Sequence, residues 1–341
     1  MPGFARRIVD WQRTHGRHGL PWQRTRDAYR IWVAEIMLQQ TQVATVIPYY
    51  ERFLAAFPDV RALARADEDA VLAQWSGLGY YRRARHMHAA ARVVADRCGG
   101  AFPRDSDTLA TLPGIGPSTA AAIAAFASGE RGAILDGNVK RVLARHRGID
   151  GDPASPAVES VLWALARRLV PREDIEAYTQ GMMDLGATLC TRARPRCGEC
   201  PVARDCVARR EGRTGELPGK RARRALPHRE VQLVWAERAG EVLLERQPST
   251  GVWGRLWSLP EIGVAADPVV ALRERYGVGA RLLERFAPVE HAFTHYALTM
   301  HPSRLAAKAS RSALPAGCMW IAREDLAGAA LPAPIRRLLA R

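Results

Sequence analysis

The chain of 341 residues has little cysteine, fewer acidic than basic residues and no long apolar run. No apolar stretch is long enough to cross a bilayer, so a membrane-spanning segment is excluded. The segment after Met1 does not resemble a secretion signal, because Arg6 and Arg7 lead directly into polar, helix-like sequence. We therefore expect a cytoplasmic protein with no membrane partner, whose cysteines are reduced rather than joined in disulfides.

The charge balance indicates an anionic partner. Lys and Arg number 50 against 35 Asp and Glu, which gives a formal net charge of +15, and nearly all of the positive charge is arginine. Arginine favours bidentate phosphate contacts, so nucleic acid is a better candidate than a membrane surface. A solvated basic surface would have the same composition. The length predicts two domains, each with its own core.

The few cysteines are clustered. Four of the six lie within one short segment, at Cys190, Cys197, Cys200 and Cys206, whereas Cys98 and Cys318 have no neighbours in sequence and are predicted to be packing residues. Zinc sites usually pair their ligands in two close hairpins, and here only Cys197 and Cys200 have that spacing. The pattern favours a four-iron cluster over zinc.

Helical periodicity dominates the first part of the chain, and a basic segment that contains glycine separates it from a mixed region. We predict an all-α domain over residues 1–210 that includes the cysteine loop 190–206, a linker over 211–229 and an α/β domain over 230–341. Strands are predicted at Val231–Trp235 and Glu241–Glu245, and a helix at Pro268–Tyr276. The predicted helices of the first domain are Tyr29–Val43, Val46–Phe57, Asp67–Ser76, Tyr81–Cys98, Ser118–Ala127 and Val139–His146.

A glycine-rich turn lies between two of these helices, from Leu112 to Ala120. Gly114 and Gly116 allow the main chain to approach an anion closely, and the amides at the start of the next helix suit a phosphate. The turn is typical of a helix-hairpin-helix motif that binds DNA. A plain turn that connects two helices would use the same residues.

Two carboxylates suggest acid-assisted hydrolysis. Glu35 lies in a strongly apolar helix, where burial would keep it protonated near neutral pH and allow it to act as a general acid. An outward-facing Glu35 on the polar side of the helix would have no such role. Asp136 lies at the start of a helix, where capping is its ordinary role. Cleavage of a glycosidic bond needs one protonated acid and one ionised carboxylate, and these two residues fit that division.

Five separate motifs resemble the MutY-type adenine DNA glycosylases of the helix-hairpin-helix superfamily, which includes endonuclease III, and the resemblance covers almost the whole chain. The motifs are Trp32–Val43, Gly77–Arg85, the Leu112–Ala120 turn, Leu135–Val142 and the cysteine quartet. The resemblance implies a bacterial-type, nucleoid-associated monomer that acts in base excision repair. Its implied substrate is duplex DNA that carries adenine opposite 8-oxoguanine or guanine, from which adenine is flipped and removed.

The resemblance also implies roles for particular residues. Glu35 would protonate the adenine, Asp136 would stabilise the sugar cation, and Asn138 would support the same site. The DNA-binding residues would be Gln39, Gln40, Tyr80, Gly114, Gly116, Ser118 and Lys140, and the four cysteines would hold a [4Fe-4S] cluster. Endonuclease III has a lysine where this chain has Ser118, so we expect base removal without strand cleavage, with at most weak trapping by Lys140. Without the family resemblance, Tyr80 would be interpreted as a core aromatic. Gln39 and Gln40 would be interpreted as residues on a solvated helix face.

The C-terminal part resembles the Nudix-like domain of these glycosylases. Phe293, Thr294 and His295 correspond to the family's Phe-Ser-His loop at 8-oxoguanine, with threonine in place of serine; a strand with alternating aromatics would show the same pattern. A diphosphate hydrolase is disfavoured, because the segment Val269–Gly277 has one glutamate. The second domain argues against a thymine-mismatch or oxidised-pyrimidine glycosylase, and the acid in an apolar helix argues against a non-catalytic DNA-binding protein.

Overall fold

The computed structural model describes residues 3–219, 225–309 and 313–341. The chain divides into two compact units, one formed by Met1–Arg65 with His86–Arg223 and the other by Ala66–Arg85 with Arg224–Arg341. Residues 66–85, which the sequence pattern assigned to the first domain, group with the second unit. Part of the predicted linker, residues 220–224, lies outside the described residues.

The first unit is helical, as predicted. The helix at 68–75 and the first residues of the helix that begins at Arg82 belong to the second unit. Helices from residues 4–15 and 117–184 share a core that includes Ile8, Leu143, Leu162 and Leu185, all fully buried. The helices in chain order are α1 Phe4–His15, α2 Ala28–Leu38, α3 Val43–Ala56, α4 Val60–Arg65, α5 Glu68–Trp75, α6 Arg82–Arg97, α7 Ser106–Leu109, α8 Pro117–Ser128, α9 Gly137–Arg147, α10 Pro156–Leu169, α11 Ile175–Asp184 and α12 Val207–Arg210.

One predicted helix is shorter than its apolar pattern. Helix α2 was expected to continue to Val43 but ends at Leu38, and α3 begins at Val43. The break occurs because Gln40 has a φ of 57°, in the left-handed region that a right-handed helix cannot include. The four residues between the helices therefore form a turn directly after the buried part of α2.

The second unit contains an eight-stranded mixed sheet, so the predicted α/β class is confirmed. Its path runs β3-β2-β1-β7-β5, with β4 on β1, β6 on β7 and β8 on β2. The central strands β1 and β7 are parallel, with Val231 opposite Met300. The strands are β1 His228–Arg238, β2 Glu241–Arg246, β3 Trp257–Ser258, β4 Glu261–Ile262, β5 Ala280–Arg285, β6 Val289–Ala292, β7 Ala297–Ala307 and β8 Cys318–Ala322.

Besides α5 and the start of α6, this unit contains α13 at Pro268–Tyr276 and α14 at Ala333–Leu339. Helix α13 has the bounds predicted from sequence, because Asp267 caps its first turn through Val269 and Val270, and Gly277 ends it with a φ of 66°. Its Leu272 packs with Val234 of β1 in the core. Among the described residues, no helix is both long and apolar enough to span a membrane.

Candidate active site

A cavity of about 650 Å³ in the helical unit contains Glu35 in its wall. The cavity lies between α2 and the start of α11, and Phe126 and Ile31 contribute apolar surface. Its polar wall includes Gln12, His18, Trp22 and Gln180. Its rim carries charged residues, among them Arg26, Arg172 and Glu173, and its volume is sufficient for a flat heterocycle.

Glu35 is held in an environment that favours its protonated form. It is half-buried, and both neighbours on α2, Ala34 and Ile36, are buried. Burial raises the pKa of Glu35 to about 8, and the nearby charge of Asp136 acts in the same direction. At neutral pH the carboxyl group is therefore mainly protonated and able to donate. An outward-facing side chain does not agree with this position in the cavity wall.

Asp136 caps α9 and also interacts with Glu35. Its Oδ1 accepts from the Val139 amide at 2.8 Å, and its Oδ2 accepts from Asn138 Nδ2 at 3.2 Å. Burial raises its pKa, while the hydrogen bonds from Val139 and Asn138 and the charge of Arg141 oppose that rise. The Asp136 carboxylate thus caps α9 and also lies near Glu35. Helix capping and a catalytic role, the two possibilities considered from sequence, are therefore compatible.

Asn138 is in turn tied to the cysteine segment through Arg141. The Arg141 Nη2 atom donates to Asn138 Oδ1 at 2.8 Å and to the Gly186 carbonyl at 2.6 Å, and its Nε donates to the Cys190 carbonyl at 2.7 Å. A chain of hydrogen bonds thus runs from Asp136 through Asn138 and Arg141 to Cys190. It links the carboxylate to the backbone of the first cysteine.

The four clustered cysteines line one pocket. Leu185, Leu189 and Val202 supply its apolar wall, and all six cysteines of the chain are unpaired, so no disulfide competes for the thiols. Arg145, which is 3% exposed, reaches the rim, with its Nη1 at 3.4 Å from Cys190 Sγ. Burial and the charges of the other three cysteines raise the pKa of Cys200 to about 11.

A metal centre at these cysteines would hold either a single ion or a cluster. In the described part of the chain, no group of three or more His, Cys, Asp or Glu residues is arranged to hold one metal ion. A tetrahedral zinc site would bring four sulfurs to about 2.3 Å from one point. A four-iron cluster takes one thiolate on each iron, and the four cysteines around one pocket supply that number of ligands.

The predicted hairpin has the expected backbone geometry. Gly114 has a φ of 78°, and a Cβ placed there would lie 2.7 Å from His86 Cβ, so no larger residue fits without movement. Gly116 precedes α8, and Ile115 is buried, as an apolar anchor should be. The Ser118 hydroxyl accepts from the Leu135 amide at 2.9 Å, so it connects this helix to the segment before Asp136.

Other predicted DNA-binding residues lie at turns. Gln39 Nε2 donates to Thr119 Oγ1 at 3.3 Å, whereas Gln40 is exposed and has a left-handed backbone. Tyr80, in the second unit, is 45% exposed with a φ of 49°, so it is not a core aromatic. Lys140 Nζ contacts Glu159 Oε1 at 2.7 Å, which pairs its ammonium group with a carboxylate.

The predicted lesion loop lies between β6 and β7. Thr294 and His295 are exposed, and Thr294 Oγ1 lies 3.2 Å from His295 Nδ1. The Phe293 ring packs against Tyr296 at 4.6 Å and edge-on against Trp253 at 5.5 Å between ring centroids. These aromatic contacts hold Phe293 in place, while Thr294 and His295 are exposed to solvent.

Sequence reasoning missed the polar residues that share the cavity with Glu35. Gln12 and Gln180 are 7% and 9% exposed, and Gln180 Nε2 donates to Asp184 Oδ1 at 2.8 Å. Asp184 is fully buried and also accepts from Arg17 Nε at 2.7 Å. A signal was present, because a glutamine and an aspartate one turn apart in the apolar segment before Cys190 are as unexpected as Glu35.

Comparisons with known proteins match two families along the chain. Residues 33–168 match the model of the HhH-GPD superfamily of base excision DNA repair proteins, and residues 231–341 match a NUDIX domain. The adenine DNA glycosylase of Buchnera aphidicola subsp. Acyrthosiphon pisum is 33% identical over 299 residues, which cover 88% of this chain and 85% of that protein. The adenine DNA glycosylase of Rattus norvegicus is 34% identical over 401 residues, which cover 99% of this chain and 77% of that protein.

A solved structure shares the fold of the helical part. A thermostable thymine-DNA glycosylase superposes with a TM-score of 0.56 and 30% identity, and the match covers 61% of this chain and 95% of that one. The common part is therefore a helical glycosylase domain.

Proposed function

Because the chain belongs to the adenine DNA glycosylase family, we propose that it removes adenine from a mispair with 8-oxoguanine or guanine in duplex DNA. The observation that carries the proposal is Glu35 in the cavity wall, with its pKa raised to about 8 by burial and by the nearby charge of Asp136. Glu35 is held mainly protonated, while Asp136, whose pKa burial also raises, receives hydrogen bonds from Val139 and Asn138 and the charge of Arg141, which favour its ionised form. This is the division of labour that cleavage of a glycosidic bond requires.

In the proposed reaction, the flipped adenine enters the cavity and Glu35 donates its proton to the ring nitrogen N7. The protonated base is a better leaving group, so the bond between the sugar and the base breaks with the electron pair moving to adenine. The ionised Asp136 stabilises the positive charge that develops on the sugar, and water then adds at the anomeric carbon. Asn138 holds Asp136 in orientation through its 3.2 Å hydrogen bond.

Gln180 is suited to select adenine. Its amide nitrogen donates to the buried Asp184, which leaves the amide oxygen as the acceptor available at the cavity. The exocyclic amino group of adenine is a donor, whereas guanine has a carbonyl at the corresponding position. A hydrogen bond to that amino group favours adenine, and guanine would leave the Gln180 oxygen facing another acceptor.

We propose that Cys190, Cys197, Cys200 and Cys206 hold a [4Fe-4S] cluster. With all four thiolates bound, the cluster would stabilise the loop and would supply no group for hydrolysis. Arg192, Arg194 and Arg196 lie on this loop and would meet DNA phosphates. The backbone link from Cys190 through Arg141 to Asn138 couples the loop to the carboxylate site.

Recognition of the opposite base is proposed for Phe293, Thr294 and His295. The two exposed polar side chains offer donors and acceptors to 8-oxoguanine, and the packed Phe293 ring gives the loop a rigid base. Gln39, Gln40, Tyr80, Gly114, Gly116 and Ser118 are the proposed contacts along the DNA, and the protein is proposed to act as a monomer at the nucleoid.

The carboxylates of the second unit give little support for a diphosphate hydrolase activity, which would need them to bind magnesium. On α13 the residue after Glu274 is Arg275, whose guanidinium pairs with Glu245 and donates to the Glu261 carbonyl at 2.9 Å. A guanidinium in that position neutralises a carboxylate that a magnesium ion would need. The unit is therefore proposed to recognise a base and not to cleave a diphosphate.

Single-turnover assays test the proposed substrate. Duplexes should carry adenine opposite 8-oxoguanine, adenine opposite guanine, thymine opposite guanine or an oxidised pyrimidine, and strand breaks should be scored before and after alkali. We expect release only from the two adenine mispairs, faster opposite 8-oxoguanine, with breaks only after alkali. Faster release of thymine or of an oxidised pyrimidine would favour a different glycosylase of the superfamily, and no release from any duplex would favour a DNA-binding protein.

A further inference from the structure

Two residues near the C-terminus contact the segment that carries Tyr80. The Leu331 carbonyl oxygen accepts from Ser76 Oγ at 2.6 Å and from Tyr81 Oη at 3.4 Å. All three residues are buried, at 1% exposure for Leu331, 8% for Ser76 and 4% for Tyr81. One carbonyl thus holds hydroxyl groups on both sides of the turn from Gly77 to Tyr80, within the second unit.

Arg336 on α14 completes this contact. Its Nη2 atom donates to Ser76 Oγ at 3.1 Å and to the Ala329 carbonyl at 2.8 Å, and its Nη1 donates to the Ala327 carbonyl at 3.1 Å. Ser76 Oγ therefore accepts from Arg336 and donates to Leu331. A buried hydroxyl with both functions satisfied resists rotation, so the position of Ser76 depends on both C-terminal partners.

The turn between Ser76 and Tyr81 places a non-glycine residue in the left-handed region. Gly77 and Gly79 have φ values of 106° and 73°, and Tyr80 itself has a φ of 49°. The Gly77 amide donates to Tyr81 Oη at 3.3 Å, and Trp75 Nε1 donates to the Gly79 carbonyl at 3.1 Å. A tyrosine in the left-handed region persists only where its surroundings hold it there.

These contacts end at an exposed aromatic ring. Tyr80 is 45% exposed, and the Arg83 guanidinium carbon lies 5.4 Å from its ring centroid. A rigid, amphipathic ring presented on a strained turn is suited to stack against a base or to enter an opened base step. Its orientation depends on the turn, and the turn depends on Ser76 and Tyr81.

We propose that Leu331 and Arg336 are positioning residues for Tyr80, through which the C-terminal segment contributes to DNA engagement independently of the Phe293 loop. The inference rests on the proposed contact of Tyr80 with DNA. Loss of the Arg336 hydrogen bonds allows the Ser76 hydroxyl to rotate and relaxes the turn, so the ring leaves the orientation in which it meets the base step.

A double-mutant cycle tests the proposal in the full chain. Arg336→Gln is made alone and together with Tyr80→Ala, and Arg337→Gln, at the next, exposed position of α14, is the matched control for lost charge. We expect Arg336→Gln to slow single-turnover adenine release roughly 10- to 100-fold, as misplacement of a positioning group does. In the Tyr80→Ala background the same change should have less than about a twofold effect, because coupled residues are not additive.

A second readout separates this proposal from the catalytic one. The fluorescence of 2-aminopurine next to the mispair rises when the base step is opened, and it requires no base release. We expect Arg336→Gln to reduce that rise only when Tyr80 is present, even if the protein releases no adenine. If Arg336→Gln proves unstable, Ser76→Ala serves as the milder change, and Ser76→Thr, which keeps the hydroxyl, should restore the signal. The proposal would be overturned if Arg336→Gln had equal effects with and without Tyr80. It would also be overturned if Arg336→Gln and Ser76→Ala both gave the wild-type fluorescence.

Discussion

The raised pKa of Glu35 predicts that this residue destabilises the fold at alkaline pH, and Glu35→Gln tests that directly. Glutamine has nearly the same shape and no charge. The native pKa of about 8 compares with an ordinary value of 4.5. Because the native state binds the proton more tightly than the unfolded chain, the stability associated with Glu35 is complete below about pH 4.5 and is lost as pH rises through about 8.

The size of the effect follows from these two values. One pKa unit corresponds to about 1.36 kcal/mol, so linkage gives a cost of about 0.8 kcal/mol at pH 5 and about 4.7 kcal/mol at pH 9. The difference is about 4 kcal/mol. Glu35 keeps some contact with solvent in its cavity, which screens the charge, so we expect a measured change of about 2–4 kcal/mol.

The assay is urea unfolding of the wild type and of Glu35→Gln at pH 5, 7 and 9, followed by circular dichroism. Every other titrating group is common to the two proteins, so the difference between their unfolding free energies isolates Glu35. The variant should gain stability relative to the wild type as pH rises. Parallel curves from pH 5 to 9 would show that Glu35 has an ordinary pKa and would refute its assignment as a general acid held in the protonated state.

Three further predictions concern pH, the cysteine pocket and the lesion loop. Adenine release should fall as pH rises through about 8, where Glu35 loses its proton, and also at low pH, where Asp136 gains one; a rate that is flat from pH 5 to 9 contradicts this. Cys200→Ser should lose the visible absorption of the cluster and bind DNA more weakly, and unchanged iron content would exclude this residue as a ligand. Phe293→Ala with Thr294→Ala should reduce the preference for 8-oxoguanine over guanine by roughly 10-fold, about 1.4 kcal/mol, and a retained preference would remove the loop from recognition.

Several features could be predicted from the sequence because they depend on local patterns. Glu35 was identifiable because a carboxylate is unexpected among apolar neighbours, and α13 was predicted with its observed bounds because Asp267 and Gly277 mark its ends. The Gly114 turn needed only its own glycines. In each case the physical cause lies within a few residues of the feature.

Other features depend on contacts between distant segments. The end of α2 at Leu38 was missed because the polar residues 39–42 are compatible with a helix and the composition gives no sign of the left-handed backbone of Gln40. The grouping of residues 66–85 with the second unit reflects hydrogen bonds such as that of Ser76 with Leu331, which are 255 residues apart in sequence. Arg141 was overlooked because one arginine among many gives no sign that it joins Asn138 to Cys190.

The most direct test of the roles of Glu35 and Asp136 is the single-turnover release of adenine by Glu35→Gln and Asp136→Asn, measured on a duplex with adenine opposite 8-oxoguanine at saturating protein. Both changes conserve shape and remove the proposed proton donor or the stabilising charge. We predict that release by each variant falls by at least about 10²-fold while the DNA affinity stays within about fivefold of the wild type. Release at the wild-type rate by either variant would contradict the proposed chemistry.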